Sequence, residues 1–302
     1  MITSYNLTNK GHTMNRDEFL KRYEAGERDF SGINLKKANF KSTNLKGVCL
    51  NYADLSNADL EEATWDDVDL SHANLRNAYL YETTIENSNF TKANLSHLVA
   101  SESTLENCDF SGTDLSYADL SVIYMAGSKL RDANFSYATL CDVYLGDSDL
   151  SNANLSYARM LGVDGWKKAD LSSINFTKAI YTSYTEFPTG FNPSKAGAIF
   201  ICSEADLSGL DLKNINLGYE EMSGANLSHA NLSGARLYNS NLRAANLSYA
   251  NLEGVDFHDA DLSEANLSHA NLKKAKLAKA DLNDAIFYNT IMPNGRIRNN
   301  NC

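Results

Sequence analysis

The sequence predicts an all-β solenoid with four-sided coils, and two nested periods carry that prediction. From Ala225 the chain falls into three rows of twenty, opening at Ala225, Ala245 and Ala265, and every row begins Ala-Asn-Leu-Ser. Inside each row a period of five runs without a gap: a small residue, Asn or Asp, Leu, then two variable polar residues. Five nested in twenty is the signature of a repeat protein whose turn holds four pentads. An α-helix is excluded, because a five-residue period drifts around a 3.6-residue turn. Two apolar positions flanking one polar one suit an extended segment, whose alternate side chains share a side. A bend after each segment makes a corner, and four corners close a square in twenty residues.

The elements follow in chain order. Residues 1–13 are polar and unpatterned and read as a flexible N-terminus, with Met14 a second candidate start. Residues 14–29 read as a capping helix. Asn15 and Glu18 have the spacing of a capping box, Phe19, Leu20 and Tyr23 share one helical face, and Gly26 sits where a helix ends. A solenoid needs such a cover, since a bare end exposes core and unpaired edge groups. A docking helix for a partner is the alternative. The first array spans 30–160, with a large apolar centre at every multiple of five from Phe30 to Met160, 27 pentads in which Ala100 is the one weak centre. The twenty-residue column Asn34, Asp54, Asn74, Asn94, Asp114, Asn134, Asn154 is Asn or Asp throughout.

Residues 161–203 interrupt the pattern. The phase slips by one, to centres at Leu171, Phe176 and Tyr181, and an aromatic-rich stretch then carries Pro188 and Pro193. Proline cannot donate to a ladder, so this stretch leaves the coil. It reads as a structured joint packed on the solenoid, with a partner-binding loop as the alternative. The second array, 204–291, has 17 centres from Leu207 to Phe287, and Glu220 on an inward column marks a local defect. Pro293 and Gly295 stop the array, leaving 292–302 as a C-terminal tail.

These A(D/N)Lxx pentads resemble the pentapeptide-repeat family. The resemblance covers about 30–160 and 205–290. It implies a right-handed quadrilateral β-helix in which the centre and the preceding small residue point inward and the other three positions face solvent. The opening MNRDEFLKRYEAGERDFSGINL and the ending AIFYNTIMPNGRI are most similar to cyanobacterial members, among them a heterocyst-inhibiting regulator. No C-terminal helix of the kind that dimerises gyrase-targeting members is evident, a departure that weakens a gyrase reading; a monomer is expected rather than a dimer.

Composition narrows the function. A net charge of -11 argues against direct nucleic-acid binding, which wants a basic patch. No run of 18 apolar residues exists to span a membrane, and no apolar leader opens the chain. The five cysteines lack metal-ligand spacing and fit a reduced, cytoplasmic compartment. No nucleophile motif, P-loop or dinucleotide fingerprint occurs, and the interior is filled by Leu and Phe. The expectation is a protein with no catalytic residues, no metal site and no cofactor. His229, Tyr249 and His269 form one column, but columns of exposed residues follow from the fold.

What remains is surface. Glu62, Glu82 and Glu102 recur at twenty, as do Asp66, Glu86 and Glu106, predicting two acidic ladders. From Glu61 to Asp119 there are 12 acidic and 2 basic residues. Like charges about 5 Å apart repel by up to roughly 1 kcal/mol in water, so the ladders serve either a partner or solubility. Tyr117, Tyr137 and Tyr157 form an aromatic column, and exposed tyrosine is typical of binding surfaces. Two functions fit: a non-enzymatic scaffold or regulator that binds a protein partner, or an acidic mimic of DNA that inhibits or protects an enzyme such as DNA gyrase.

Overall fold

Why a pentad bends the chain is visible at Leu35. In the computed structural model, which describes residues 13–166 and 169–299, Ala38 N–H donates to Leu35 C=O at 2.9 Å, closing a four-residue turn. The third residue of that turn, Lys37, has φ 61°. Positive φ at this position marks a type II turn. The same conformation recurs at the equivalent position of nearly every pentad, whether the residue is Lys, Glu, His, Tyr, Asn, Asp or Gly. It costs a residue other than glycine about 1 kcal/mol or more. In return it aims the amide along the solenoid axis, and Lys37 N–H meets Ser56 C=O of the next coil at 2.9 Å. Leu35 N–H reaches Asp54 C=O (2.7 Å) and Asp54 N–H returns to Ile33 C=O (2.9 Å). Three inter-coil hydrogen bonds per pentad hold the coils in parallel register, residue against residue plus twenty, as in Asn34↔Asp54↔Asn74.

The Asn and Asp positions do more than the family resemblance implied. Expected to face solvent, most are half-buried. Each carboxyl or amide oxygen accepts the N–H two residues on, as Asp54 Oδ1 does from Ser56 (3.0 Å), which favours the turn. The amides also pair across coils: Asn134 donates to Asp114, Asn154 to Asn134, and Asn175 to Asn154, each at 3.0 Å. The hydroxyls of inward Ser and Thr solve a different problem. On one wall the turn amides of Val68, Cys108 and Ser128 donate to Ser88, Ser128 and Ser148 Oγ of the following coil, at 3.0, 3.1 and 3.2 Å.

The chain divides into two compact units, 1–198 and 199–302. In the first, the helix α1 (Arg16–Glu24) starts with Asn15 Oδ1 accepting from Glu18 N–H at 2.9 Å. It ends in a paired cap: Gly26 N–H to Tyr23 C=O and Glu27 N–H to Arg22 C=O. Its Phe19 is fully buried, with ring centroids 4.2 Å from Phe30 and 5.2 Å from Phe40, and plugs the first coil. Residues 1–12, read from sequence as most of a flexible N-terminus, lie outside the described residues.

Below the plug, centres and small residues fill the interior. Strands β1 (Asn44–Lys46), β2 (Thr64–Asp66) and β3 (Thr84–Glu86) form one parallel ladder. Trp65 fits because its indole N–H finds Thr43 Oγ1 at 3.3 Å. The weak centre Ala100 is matched by Leu98 at the small position two residues before it, and both are fully buried. The large and small side chains have exchanged places, so volume is conserved.

Strands β4 (Thr139–Cys141), β5 (Arg159–Leu161) and β6 (Ile180–Tyr181) continue the unit, and the phase slip has a physical form here. Thr139 pairs with Arg159, but Arg159 pairs with Ile180. One coil therefore holds twenty-one residues. The proline stretch after it turns back on the unit: Glu186 N–H bonds Val163 C=O (3.0 Å), and Trp166 indole N–H bonds Glu186 C=O. Phe187 lies 5.4 Å from Trp166 and Phe191 5.5 Å from Phe176, ring centroid to ring centroid. Most of the stretch read as a joint thus packs as part of the first unit.

The second unit opens with β7 (Ile199–Phe200). Its bridges run from Asp206↔Asn226 to Asn271↔Ile291. Glu220, half-buried on the inward small-residue column, has its carboxyl held above its ordinary range by desolvation. The end differs from the expected tail: β8 (Thr290–Ile291) and β9 (Ile297–Arg298) pair antiparallel, and the Arg298 guanidinium sits 3.9 Å over the Phe287 ring. Pro293 and Gly295 form the reversal of this hairpin, and with β9 the chain folds back on the last coil. Residues 300–302 lie outside the described residues.

Two outcomes are expected. Leu247 is fully buried and Ser248 is not. Leu247→Asp should unfold the second unit or cost at least about 3 kcal/mol, while Ser248→Asp should shift the melting temperature little; equal melting temperatures would overturn the inward assignment. Asp149 is pulled down to about 2, first by the Ser151 hydroxyl and then by Arg131. A depressed folded-state pKa gives stability that is present above the unfolded value and lost as pH falls toward the folded one. Asp149→Asn keeps the turn acceptor but removes this titration, so its melting temperature should fall less steeply than the parent's between pH 4 and pH 2.

Candidate interaction surface

The outward residues of a four-sided coil are ordered by the same register that orders the core. Position two after each centre forms the corners, and there the side chains of successive coils lie one above another. At one corner His97, Tyr117, Tyr137 and Tyr157 stack with their rings nearly parallel, at centroid separations of 5.0, 4.9 and 4.7 Å. Lys178, the corner residue of the next coil, places its Nζ 5.7 Å from the Tyr157 ring. The interior rings cover one another's faces, so the column offers its edges and hydroxyls to solvent. Partial burial, then the flanking Tyr157 and Tyr117, holds the Tyr137 hydroxyl pKa above its ordinary value.

The sequence reading began this column at Tyr117. His97 belongs to it and was findable by subtracting twenty; Lys178 was not, because the twenty-one-residue coil displaces it by one. Similar stacks join Tyr52 to His72 and His229, Tyr249 and His269. Stacking is therefore what this corner geometry does with any two rings twenty residues apart. Among the described residues no group of three His, Cys, Asp or Glu side chains could hold a metal ion. Burial pushes the Cys108 and Cys141 thiols up to about 12, which removes their thiolate chemistry at neutral pH.

The acidic ladders lie on the two following sides of the same unit, the first at the corner position and the second one residue after the centre, and their charges are not equal. Glu62, Glu82 and Glu102 are exposed; Asp66, Glu86 and Glu106 are half-buried. The first rung of each is compensated. Glu62 accepts from Ser42 Oγ (2.8 Å) and lies 3.5 Å from Lys41 Nζ, and these two lower its pKa in that order. Asp66 is lowered by the Asn87 amide (2.9 Å) and by Lys46 (2.8 Å). Tyr81 sits between the lower rungs, and its hydroxyl is pushed up to about 12, mainly by its hydrogen bond to Glu82 and then by burial and the Glu102 charge. Among the described residues Glu82, Glu86, Glu102 and Glu106 have no basic partner. In the second unit, by contrast, Lys274, Lys276, Lys279 and Arg243 pair across coils with Glu253, Asp256, Asp259 and Glu264.

Farther along the first unit a cleft of about 580 Å³ opens between Tyr144, Gly146, Asp147, Ser148, Asp164 and Trp166.

Six segments, 28–56, 53–91, 88–121, 125–164, 221–259 and 256–294, match the pattern of the family described as Pentapeptide repeats, in 8 copies. The chain belongs to the pentapeptide-repeat family. It is similar to HetL, a pentapeptide-repeat protein involved in heterocyst differentiation regulation from the cyanobacterium Nostoc sp. strain PCC 7120. The identity is 30%, covering 94% of this chain and 100% of HetL, with a TM-score of 0.30. It is also similar to QnrB1, a plasmid-mediated fluoroquinolone resistance protein, at 15% identity, 85% and 90% coverage and a TM-score of 0.30. A third is alr5209 of Nostoc PCC 7120, at 21% identity, 64% and 99% coverage and a TM-score of 0.23. No curated protein matches the sequence. Membership rests on the repeat match and on the identity to HetL. Among the described residues no helix is long and apolar enough to cross a membrane.

Tyr137 is stacked on both faces, whereas Tyr157 has one tyrosine neighbour. Tyr137→Ala should cost about 1–2 kcal/mol, and Tyr157→Ala about half of that. Chemical denaturation of the two variants checks this; equal losses would mean that the stack contributes only buried area.

Proposed function

We propose that this protein works without catalysis, as a scaffold or regulator that binds a basic protein partner on the first unit. The carrying observation is the contrast in charge pairing. In the second unit Glu253, Asp256, Asp259 and Glu264 are answered by bases on neighbouring coils, while in the first Glu82, Glu86, Glu102 and Glu106 stand without a basic partner among the described residues. They lie on the two sides that follow the exposed column of Tyr117, Tyr137 and Tyr157. An acidic band next to tyrosine edges offers a cationic surface both steering and contact. Family membership supports the non-enzymatic part of this reading, and the identity to HetL over nearly the whole chain supports the regulatory part.

The DNA-mimic reading rests on the same carboxylates. Lys41 and Lys46 neutralise its first rungs and shorten the track, so the scaffold reading is preferred. Salt separates them: a mimic loses binding steeply with ionic strength and competes with DNA, whereas a surface with tyrosine contacts retains part of its affinity.

The test is the fourfold variant Glu82→Lys, Glu86→Lys, Glu102→Lys, Glu106→Lys, with Glu253→Lys and Glu264→Lys as the second-unit control. Both should fold. Proteins cross-linked to the parent chain in its native host should be lost with the fourfold variant and kept with the control. Equal recovery with the fourfold variant would mean that these carboxylates only solubilise the first unit.

A further inference from the structure

We propose that the cleft beside Tyr144 in the first unit is a binding site for a guanidinium group. Its floor is bare backbone. A Cβ on Gly146 would lie 2.6 Å from the Tyr144 hydroxyl oxygen and 2.7 Å from ring carbons, so the ring lies across residue 146 only because that residue is glycine. A Cβ on Gly165 would lie 2.5 Å from the Gly146 nitrogen. Two glycines on adjoining coils therefore let the Tyr144 ring and the next coil's backbone pack directly on residue 146, and the cleft opens beside them. The 580 Å³ that results is within the usual size of small-ligand sites.

The walls select charge. Tyr144 and Asp164 face each other across a bridge between coils, and Asp147 occupies the turn corner with φ 56°. Asp147 is exposed and Asp164 half-buried. Neither forms an ion pair among the described residues. Two of its donors are committed: Trp166 indole N–H goes to Glu186 C=O, and Ser148 Oγ to Met125 C=O at 2.8 Å. What the cleft presents is two carboxylates and an exposed tyrosine ring. The two carboxylates repel an anion. A flat, weakly hydrated cation that stacks on an aromatic face and gives several N–H bonds is matched. Elsewhere the chain already uses this pairing, with Arg28 4.1 Å over Tyr23. The site stands apart from the acidic ladders and does not rest on them.

Guanidinium groups come from small molecules or from arginine side chains of a protein, and two probes tell them apart. The full chain is used with Trp65→Phe, which leaves Trp166 as the only indole. Agmatine and a blocked Ala-Arg-Ala peptide are titrated against Trp166 fluorescence, with the neutral citrulline analogue of the peptide as control. Calorimetry on the unmodified chain repeats the measurement, since Trp65 is buried. Saturable binding of one or both cations is expected, with the peptide tighter if the natural ligand is a protein side chain and agmatine tighter if it is a small molecule. Asp147→Asn with Asp164→Asn should weaken binding at least about tenfold. Gly146→Ala, which pushes the Tyr144 ring off the floor, should weaken it with an unchanged melting temperature. Absence of saturable binding by either cation, equal binding of the citrulline peptide, or full affinity in the double Asn variant would overturn the proposal.

Discussion

The fold depends on one backbone conformation, the positive φ two residues after each pentad centre. It bends the chain and, in the same act, turns an amide toward the next coil. Neither effect survives without the other. A corner in ordinary backbone would leave that amide pointing sideways, and a coil without corners would never return above itself. The conformation is unfavourable for each of the Lys, Glu, His and Tyr residues that adopt it, so it is held by repetition. Each strained turn is fixed by hydrogen bonds from coils on both sides, which is why terminal coils need separate devices: Phe19 at one end of the first unit, the Phe187 and Phe191 stretch at the other, and the β8–β9 hairpin in the second.

The core was legible because its code has few letters. Leu at the centre and a small residue two before it mark inward positions directly, and the phase slip to Leu171 and Phe176 showed as a change of arithmetic. The outward positions were less legible. Asn154 and its column looked like solvent-facing polar residues, since nothing in a one-dimensional pattern distinguishes an amide in water from an amide bonded to the coils above and below. The exchange of Leu98 with Ala100 looked like a defect for the same reason: the compensation is a matter of volume, and volume is summed across the coil.

The surface shows the limit more sharply. Spacing by twenty placed Glu62, Glu82 and Glu102 in one column, but it could not show that Lys41 answers the first of them and Tyr81 bridges the other two. Pairing depends on side-chain reach, which period does not encode. The cleft beside Tyr144 was invisible for a further reason. It opens beside glycines at 146 and 165, and a glycine in a repeat array reads as one more small residue.

The wall on which Ser88, Ser128 and Ser148 complete the turns of the preceding coil has a directional character. At turns such as those ending in Ala53 and Ala58 the corner closes on its own carbonyl, so a coil carries its corner with it. On this wall the corner of one coil is closed by the hydroxyl of the next, and Ser128 both receives and supplies such a bond. Loss of order at a later coil therefore removes the latch from the one before it, and the disturbance runs toward the N-terminus. Along this edge the first unit behaves like a zip with its slider at the C-terminal side.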